Sequence, residues 1–400
     1  MTVPVVLVDR LGYASYRDQA GRAFLPAHRF EVRLVTGLDR LAEAQGPELA
    51  AVVAVSRSDQ GAFLDAARWL QRTGSRPATR VAAITERYLL PVAQLREELG
   101  LPGMTVAQTL RFRDKLVMKQ HLRASGVRLP DFAGYHPATA RALLARHGKL
   151  VAKPRFGAGA AGVYVLQADA DLVRFEREQA GQLEDFDVEQ FIGGRVFHID
   201  SVVDRGRVIA ATAADSIDAT NSYASQPYCR GVAVPDGSLL DQLLAFNAKV
   251  IAAHPDYWGV THHEVFVAPD GLCFCEIAAR AGGGGVLAGF RSRTGLNLDE
   301  VALNAHLVDR VPQHIAIARQ LTGYALLYAG PGQVVRMPTA PAEDWVLEVQ
   351  LLATSGQQLE RPADWGDAVA VVSVRGDSPV EVRRRLDQLI ERMLGELIVD

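Results

Sequence analysis

Two acidic residues stand out by type and spacing. The stretch Thr261-His-His-Glu-Val-Phe266, the turn Ala268-Pro-Asp-Gly271 and the stretch Cys273-Phe-Cys-Glu276-Ile-Ala-Ala-Arg280 read as two strands around a hairpin. Asp270-Gly271 is the turn signal between the two alternating runs. If residue 268 pairs with 272, Glu264 faces Glu276, Phe266 faces Phe274 and His262 faces Ala278. Carboxylates opposed in this way lie about 4.5–5.5 Å apart at Cβ and repel one another. A solvated sheet face could tolerate that, but a bound divalent cation explains it better. Hard oxygen ligands suit magnesium, which takes one or two carboxylates together with substrate phosphates. Manganese would be accepted by the same set.

A second group of residues points to phosphate. The loop Gly157-Ala-Gly-Ala-Ala-Gly162 matches the dinucleotide pattern G-x-G-x-x-G, but that reading requires a helix after the loop. Here the alternating run Val163–Leu166 follows, so the segment predicts a strand–loop–strand flap. Gly157, Gly159 and Gly162 would then offer backbone N–H groups to a triphosphate, beside Lys153. Arg280 with Gly282-Gly-Gly-Gly285 gives a guanidinium next to unencumbered N–H groups, suited to a carboxylate becoming an acyl phosphate. Gly283 and Gly284 are the candidate substrate contacts. Cys273 and Cys275, with His263 nearby, invite a zinc assignment, yet no second ligand pair follows at the required spacing. They are expected to be small buried hydrophobes, on the strand face opposite the two carboxylates.

Several elements must position these groups. Val3–Val8, Phe30–Val35, Ala51–Val55 and Arg80–Ile84 read as strands, with a helix after Ser58 and another over Leu90–Leu99 stopped by Gly100. This rhythm predicts an open α/β domain without a phosphate loop after its first strand. A basic amphipathic helix over Asp114–Ser125 follows. Lys149–Lys153 and Val163–Leu166 flank the flap. Then come a helix over Asp169–Ala180, strands Phe186–Ile192, Val196–Val203 and Arg207–Thr212, a helix over Ser238–Ala253 and a terminal helix from Pro379. The segment Asp215–Cys229 has no period and could line a substrate site through Asp218 and Tyr223.

With 22% charged residues and a formal net charge of −3, the surface does not suit nucleic-acid backbones or anionic membranes. No run of about 20 apolar residues suggests a membrane span. Three cysteines, an odd count, indicate no disulfide framework and a reducing cytoplasm.

Taken in order, the pieces resemble the ATP-grasp superfamily in its amino-acid and dipeptide ligase branch. They are Arg113-Asp-Lys115, Met118-Lys-Gln-His-Leu122, Val151-Ala-Lys153-Pro, the flap, Val188-Glu-Gln-Phe-Ile-Gly193, Phe197-His-Ile-Asp200, Glu264, Glu276 and Arg280-Ala-Gly-Gly283. No piece is specific alone; the ordered set is. The resemblance implies an α/β ATP-grasp fold with an N-terminal open α/β domain over 1–110. A small subdomain with the flap would span 111–192, and a large subdomain with a C-terminal α+β lobe 193–400. It further implies that Lys115 and Lys153 contact ATP phosphates, and that backbone groups of Glu189 and Ile192 read adenine. Phe266 would pack on the base, Glu264 and Glu276 would hold magnesium, and Arg280 would hold the acyl phosphate.

The implied activity joins a small-molecule carboxylate to an amine, releasing ADP and phosphate, in a protein compatible with a homodimer. A carboxylase using carboxyphosphate and a catalytically weak nucleotide-binding protein are the alternatives. Two departures stand out: Ala278 where the family often has Asn, and Val196 where a ribose-binding Glu is common. A neutral His262 could hold a metal-bound water in place of that Asn, or simply pack at the sheet edge.

Overall fold

The computed structural model describes residues 2–9, 12–159, 161–218 and 225–400. At the N-terminus Val3–Val8 pairs in parallel with Phe30–Gly37 on one side and Arg80–Ala82 on the other, and Leu49–Val55 lies outside Phe30–Gly37. Alternation sends Val6, Val8 and Val35 to one face, where Phe63, Leu70, Tyr88 and Val92 of two helices cover them. The first helix, Gln60–Arg72, is capped by Asp59, whose carboxylate accepts from Ala62 N at 2.9 Å, and not by Ser58. The second, Glu86–Leu99, begins a turn earlier than its apolar pattern suggests, carries Pro91, and ends at Gly100 with φ 64°.

The other face of this sheet, Val5, Leu7, Val32 and Leu34, shares a core with Tyr13 and Tyr16 of the short 3-10 helix Tyr13–Tyr16 and with Phe24 and Leu25. It also packs against Val202, Val260, Phe290 and the helix Leu298–Val308. One core therefore runs across the boundary expected near residue 110.

A second sheet, in the order Phe132–Gly134, Phe186–Gln190, Leu150–Pro154, Tyr164–Leu166, is antiparallel throughout. Helices Pro137–His147 and Asp169–Glu178 back it through Leu143, Leu172 and Phe175. The glycine loop joins Leu150–Pro154 to Tyr164–Leu166, so the expected strand–loop–strand arrangement is present.

The third sheet has eight strands. It runs from Gly271–Ala278 through Gly259–Ala268, Arg195–Asp204, Arg207–Ser216, Tyr228–Ala233, Leu321–Leu327 and Ala370–Gly376 to Val346–Leu351. The C-terminal lobe is thus an extension of the strands that carry Glu264 and Glu276, closed by the helix Pro379–Glu396 over Val372, Val374 and Leu327. The strand Tyr228–Ala233 occupies the end of the segment read as a periodless loop. Its Gly231 lets the Tyr324 ring of the next strand lie across the backbone.

The loop after Gly271–Ala278 is pressed onto this sheet. A Cβ on Gly285, which opens the helix Val286–Thr294, would collide with Tyr324 Cβ and sit 2.6 Å from Ser373 Oγ. Its φ of −77° suits any residue, so space alone demands glycine. Gly285→Ala should therefore destabilise the protein by about 1–3 kcal/mol, the usual result of overpacking. Urea denaturation measures it, and an unchanged midpoint would mean the loop can lift from the sheet.

Candidate active site

Strands Gly259–Ala268 and Gly271–Ala278 place Glu264 directly opposite Glu276, and His262 opposite Ala278, as the spacing predicts. They reach that register by another route. The turn is tighter, pairing Ala268 with Gly271, and a bulge between Glu264 and Val265 leaves Cys275 as the extra residue. Phe266 therefore faces Cys273, not Phe274. The bulge also turns Cys275 toward the carboxylate side, where its thiol lies 3.9 Å from Glu264 Oε2. Burial pushes that thiol well above the ordinary cysteine range. His263 points the other way and bonds Asn247 at 2.8 Å, so no zinc set forms with the cysteines.

The helix Lys115–Leu122 delivers the first lysine. Asp114 caps it, accepting from Leu116 N at 2.9 Å, and Met118 Sδ accepts from Ile277 N at 3.3 Å, fixing the helix to the carboxylate hairpin. Lys115 Nζ then lies 3.2 Å from Glu276 Oε2 and donates to Gly157 O at 2.7 Å. One ammonium thus joins a metal-type carboxylate to the base of the flap. Burial opposes ionisation of Glu276, but Lys115 and Lys153 outweigh it and hold its pKa below the ordinary glutamate value.

Lys153 is paired with Glu189, and Glu189 also accepts from Lys119 at 2.6 Å. Lys119 in turn pairs with Asp187. All four side chains are nearly or fully buried, and the two acids and two lysines balance in charge. Burial disfavours the charge on Lys153, yet Glu189 more than offsets it and raises its pKa well above the lysine range. Sequence reasoning passed over Lys119 and Asp187. The available signal was a lysine four residues after Lys115, on the same helix face.

One cavity of about 300 Å³ opens beside these groups. Lys115, Lys153, Gly157, Gly159, Glu189, Ile192, Val196, Glu264, Phe266, Cys275 and Glu276 all border it. Gly162 is not on its wall. With φ 69° it turns the flap, and a Cβ there would come 3.0 Å from Pro154 Cγ.

A larger cavity of about 1160 Å³ adjoins it, bordered by Arg280, Gly283, Glu86, Arg113, Asp9, Asp299 and the flap residue Ala158. Arg280 is ion-paired with Glu86, which also pairs with Arg113, and its Nη1 donates to Ala281 O at 2.7 Å. Glu86 escaped the sequence reading. Yet Asp9 and Glu86 follow the strands Val3–Val8 and Arg80–Ala82, between which the strand order reverses, and ligands favour that crevice. Burial, reinforced by Asp9, raises the pKa of Asp299 to about 7.

Some expected contacts fall elsewhere. Gly284, with φ 64°, packs on Leu326 and borders neither cavity. Asp218 is committed to Arg230, at 3.0 Å from Nε and 3.1 Å from Nη2, away from both cavities, because the strand Tyr228–Ala233 draws it to the C-terminal lobe. Tyr223 lies outside the described residues.

His262 is tied to Asp200 beside the carboxylate pair. Its Nδ1 donates to Asp200 Oδ1 at 2.8 Å and its Nε2 lies 3.7 Å from Glu264. Burial opposes the charge, but Asp200 outweighs it and raises the pKa to about 10. Asp200 also accepts from His198 Nδ1 at 2.7 Å, and His198 Nε2 is 3.0 Å from the Tyr324 hydroxyl. Although ligand atoms of His198, Asp200 and His262 lie within 4.8 Å of one another, the carboxylate already joins the two rings.

No protein-family profile matches the chain. An L-arginine-specific L-amino acid ligase of Bacillus subtilis is 24% identical over 310 residues, covering 71% of this chain and 72% of that protein. The crystal structure of an L-amino acid ligase from Bacillus licheniformis superposes with a TM-score of 0.79 at 17% identity, covering 100% of this chain and 99% of that one. The chain therefore has the ATP-grasp fold. A biotin carboxylase domain of Hydrogenobacter thermophilus 2-oxoglutarate carboxylase, solved with MgADP and bicarbonate, shares the ATP-grasp fold. Its TM-score is 0.74 at 14% identity, covering 100% and 91%. Among the described residues, no helix is long and apolar enough to cross a membrane.

The His262–Asp200 pair makes stability depend on pH. His262 binds its proton in the folded protein up to about pH 10 and in the unfolded chain only to about 6.5. Its contribution is full below 6.5 and is lost as pH rises through 10. His262→Gln should lower the Tm by several degrees at pH 6, and the deficit should shrink by pH 10. A deficit that stays constant across this range would show that His262 is not charged in the fold.

Proposed function

We propose that this protein is an ATP-dependent carboxylate–amine ligase that forms an amide bond through an acyl phosphate, with release of ADP and phosphate. One observation carries the reading. The smaller cavity, bordered by two lysines, two opposed carboxylates and the flap, meets the larger one where Arg280 and Glu276 stand on the same strand end. ATP fits the first, with its adenine between Phe266 and the backbone of Glu189 and Ile192. Lys115 and Lys153 neutralise its phosphates.

Glu264 and Glu276 form a donor set of hard oxygens facing each other on one cavity wall, which fits magnesium, with manganese as a substitute. Bound there, the metal would spread negative charge away from the phosphate oxygens. The carboxylate substrate approaches Arg280 in the larger cavity. A carboxylate oxygen takes the terminal phosphoryl group, the amine nitrogen then bonds to the acyl carbon, and the C–O bond to phosphate breaks. The guanidinium of Arg280 and the N–H groups around Gly283 stabilise the developing oxyanion. The flap excludes water meanwhile.

At about 1160 Å³ the second cavity has room for an organic acid and an amine together, far more than bicarbonate needs. The relative of B. subtilis, an amino acid ligase by name, supports amino acids as the substrates. Every group invoked comes from one chain, so a homodimer is not needed to complete the site. The three buried free thiols suit the cytoplasm.

Phosphate release measured across a panel of amino acids tests the reading. Release that depends on a second amino acid, with amide product by mass spectrometry, is expected. Bicarbonate-dependent release would instead indicate a carboxylase, and no release a nucleotide-binding protein. Lys153→Ala should abolish turnover while the circular dichroism spectrum stays unchanged. Arg280→Ala should lower kcat by about a hundred- to a thousand-fold, the typical loss of an oxyanion donor. Its KM for ATP should move little; a change confined to ATP affinity would place Arg280 in nucleotide binding.

A further inference from the structure

The loop that carries Arg280 crosses one face of the large sheet, and what it crosses first is polar. On that face Asp200 stands opposite His262 of the next strand, and His198 stands opposite Glu264. The Asp200 side chain is buried and uses both oxygens. Oδ2 accepts from His198 Nδ1 at 2.7 Å, and Oδ1 accepts from His262 Nδ1 at 2.8 Å. Buried groups of this kind keep one arrangement, because leaving any of them unpaired is costly. His198 is fixed on its far side as well, with Nε2 3.0 Å from the Tyr324 hydroxyl.

Gly282 lies directly on this group. The place of its missing Cβ is 2.6 Å from His262 Nδ1 and 2.9 Å from Asp200 Oδ1, the two atoms of one hydrogen bond. The loop backbone therefore rests on side-chain atoms that an alanine at either position would remove. One residue earlier, Ala281 O accepts from Arg280 Nη1 at 2.7 Å. The peptide that joins Ala281 to Gly282 thus sits on the His262–Asp200 bond and grips the guanidinium through its own carbonyl. Glu86, from the helix Glu86–Leu99, holds the same guanidinium through Nε. Arg280, Ala281 and Gly282 border the larger cavity, whereas Asp200 and His262 do not. The two side chains reach the cavity wall only through the loop.

We propose that Asp200 and His262 are positioning residues, their mutual hydrogen bond setting the Gly282 backbone and, through Ala281 O, the guanidinium of Arg280. This rests on the ligase reading. The acyl phosphate must meet that guanidinium closely, since an error of about 1 Å can cost roughly a hundred-fold in rate. Without the bond the loop settles into the vacated space, and Arg280 moves with it. The groups assigned to ATP border the smaller cavity, so nucleotide binding is spared.

Two substitutions separate this bond from everything else His262 does. His262→Ala removes Nδ1. In His262→Asn the side-chain amide nitrogen stands where Nδ1 stood and can donate to Asp200. Both variants lose the ring and the Nε2 beside Glu264. With the acid and amine pair that the panel identifies, kcat should fall about ten- to a hundred-fold in His262→Ala. It should stay near the native value in His262→Asn, with KM for ATP little changed in both. Equal losses of kcat in the two variants, or none in either, overturn the proposal. So does a loss in His262→Ala carried wholly by KM for ATP. Should the native protein make no amide with any pair, the ligase reading falls by itself, and hydrogen exchange decides the support. Amides over 281–285 should exchange several-fold faster in His262→Ala than in His262→Asn, while the strand amides over 259–268 stay equally protected. Equal exchange over 281–285, or an acceleration that takes in the strand as well, overturns it.

Discussion

Two carboxylates of like charge face each other across a pair of strands, and much of the surrounding structure answers that repulsion. Lys115 stands 3.2 Å from Glu276, and His262 stands 3.7 Å from Glu264. The same logic extends outward, with Glu86 against Arg280 and Arg113, and Glu189 against Lys119 and Lys153. A buried charge is tolerated only with a partner, and every carboxylate named here has one. The pairings are not equivalent, however. Lys115 and Lys153 border the smaller cavity, and on the ligase reading they exchange their carboxylates for phosphates. Lys119 does not border it, so Glu189 keeps a countercharge when Lys153 is drawn away. Lys119 is in that sense the residue that leaves Lys153 available.

Space is the second constraint. The loop from Arg280 to Gly285 is laid so close to the sheet that side chains have no room. A Cβ on Gly282 would sit 2.6 Å from His262 Nδ1 and 2.9 Å from Asp200 Oδ1, and one on Gly285 would meet Tyr324. By sequence alone the glycine run suggests a nest of N–H groups for a substrate. Gly282 and Gly283 border the larger cavity, and Gly284 and Gly285 do not. Gly282 and Gly285 are glycine because the backbone must lie on the Asp200 network and on Tyr324. Arg280 is thereby anchored at its strand end and at its loop, which holds the guanidinium at the wall of the larger cavity.

Much of this was legible in the chain. The opposition of Glu264 and Glu276 followed from alternation and a turn signal, and the flap from a glycine loop followed by a strand pattern instead of a helical one. Neither the tighter turn nor the compensating bulge at Cys275 could be read, because the two irregularities cancel at the carboxylates. Cys275 was accordingly placed on the wrong face. Glu86 was invisible for another reason: it meets Arg280 across 194 residues, and nothing local marks it. The strand Tyr228–Ala233 was hidden because its sequence, with Arg230 and Gly231, does not alternate. Its pairing with Leu321–Leu327 is decided by the fold.

The place of Ala278 shows how one missing side chain can be balanced by another. Ala278 is opposite His262, where the wider family often carries an Asn two residues beyond the second carboxylate. An imidazole could act as a ligand there only if one nitrogen kept its lone pair free. Here Nδ1 donates to Asp200, which leaves Nε2 as the nitrogen turned toward Glu264. The oxygen donors that the protein itself offers at this end of the site are Glu264 and Glu276. On the ligase reading a metal would rest on that pair and the phosphates of its substrate. A carboxylate pair alone holds magnesium weakly. The donor set is completed only when the nucleotide arrives, so metal and ATP are expected to bind together.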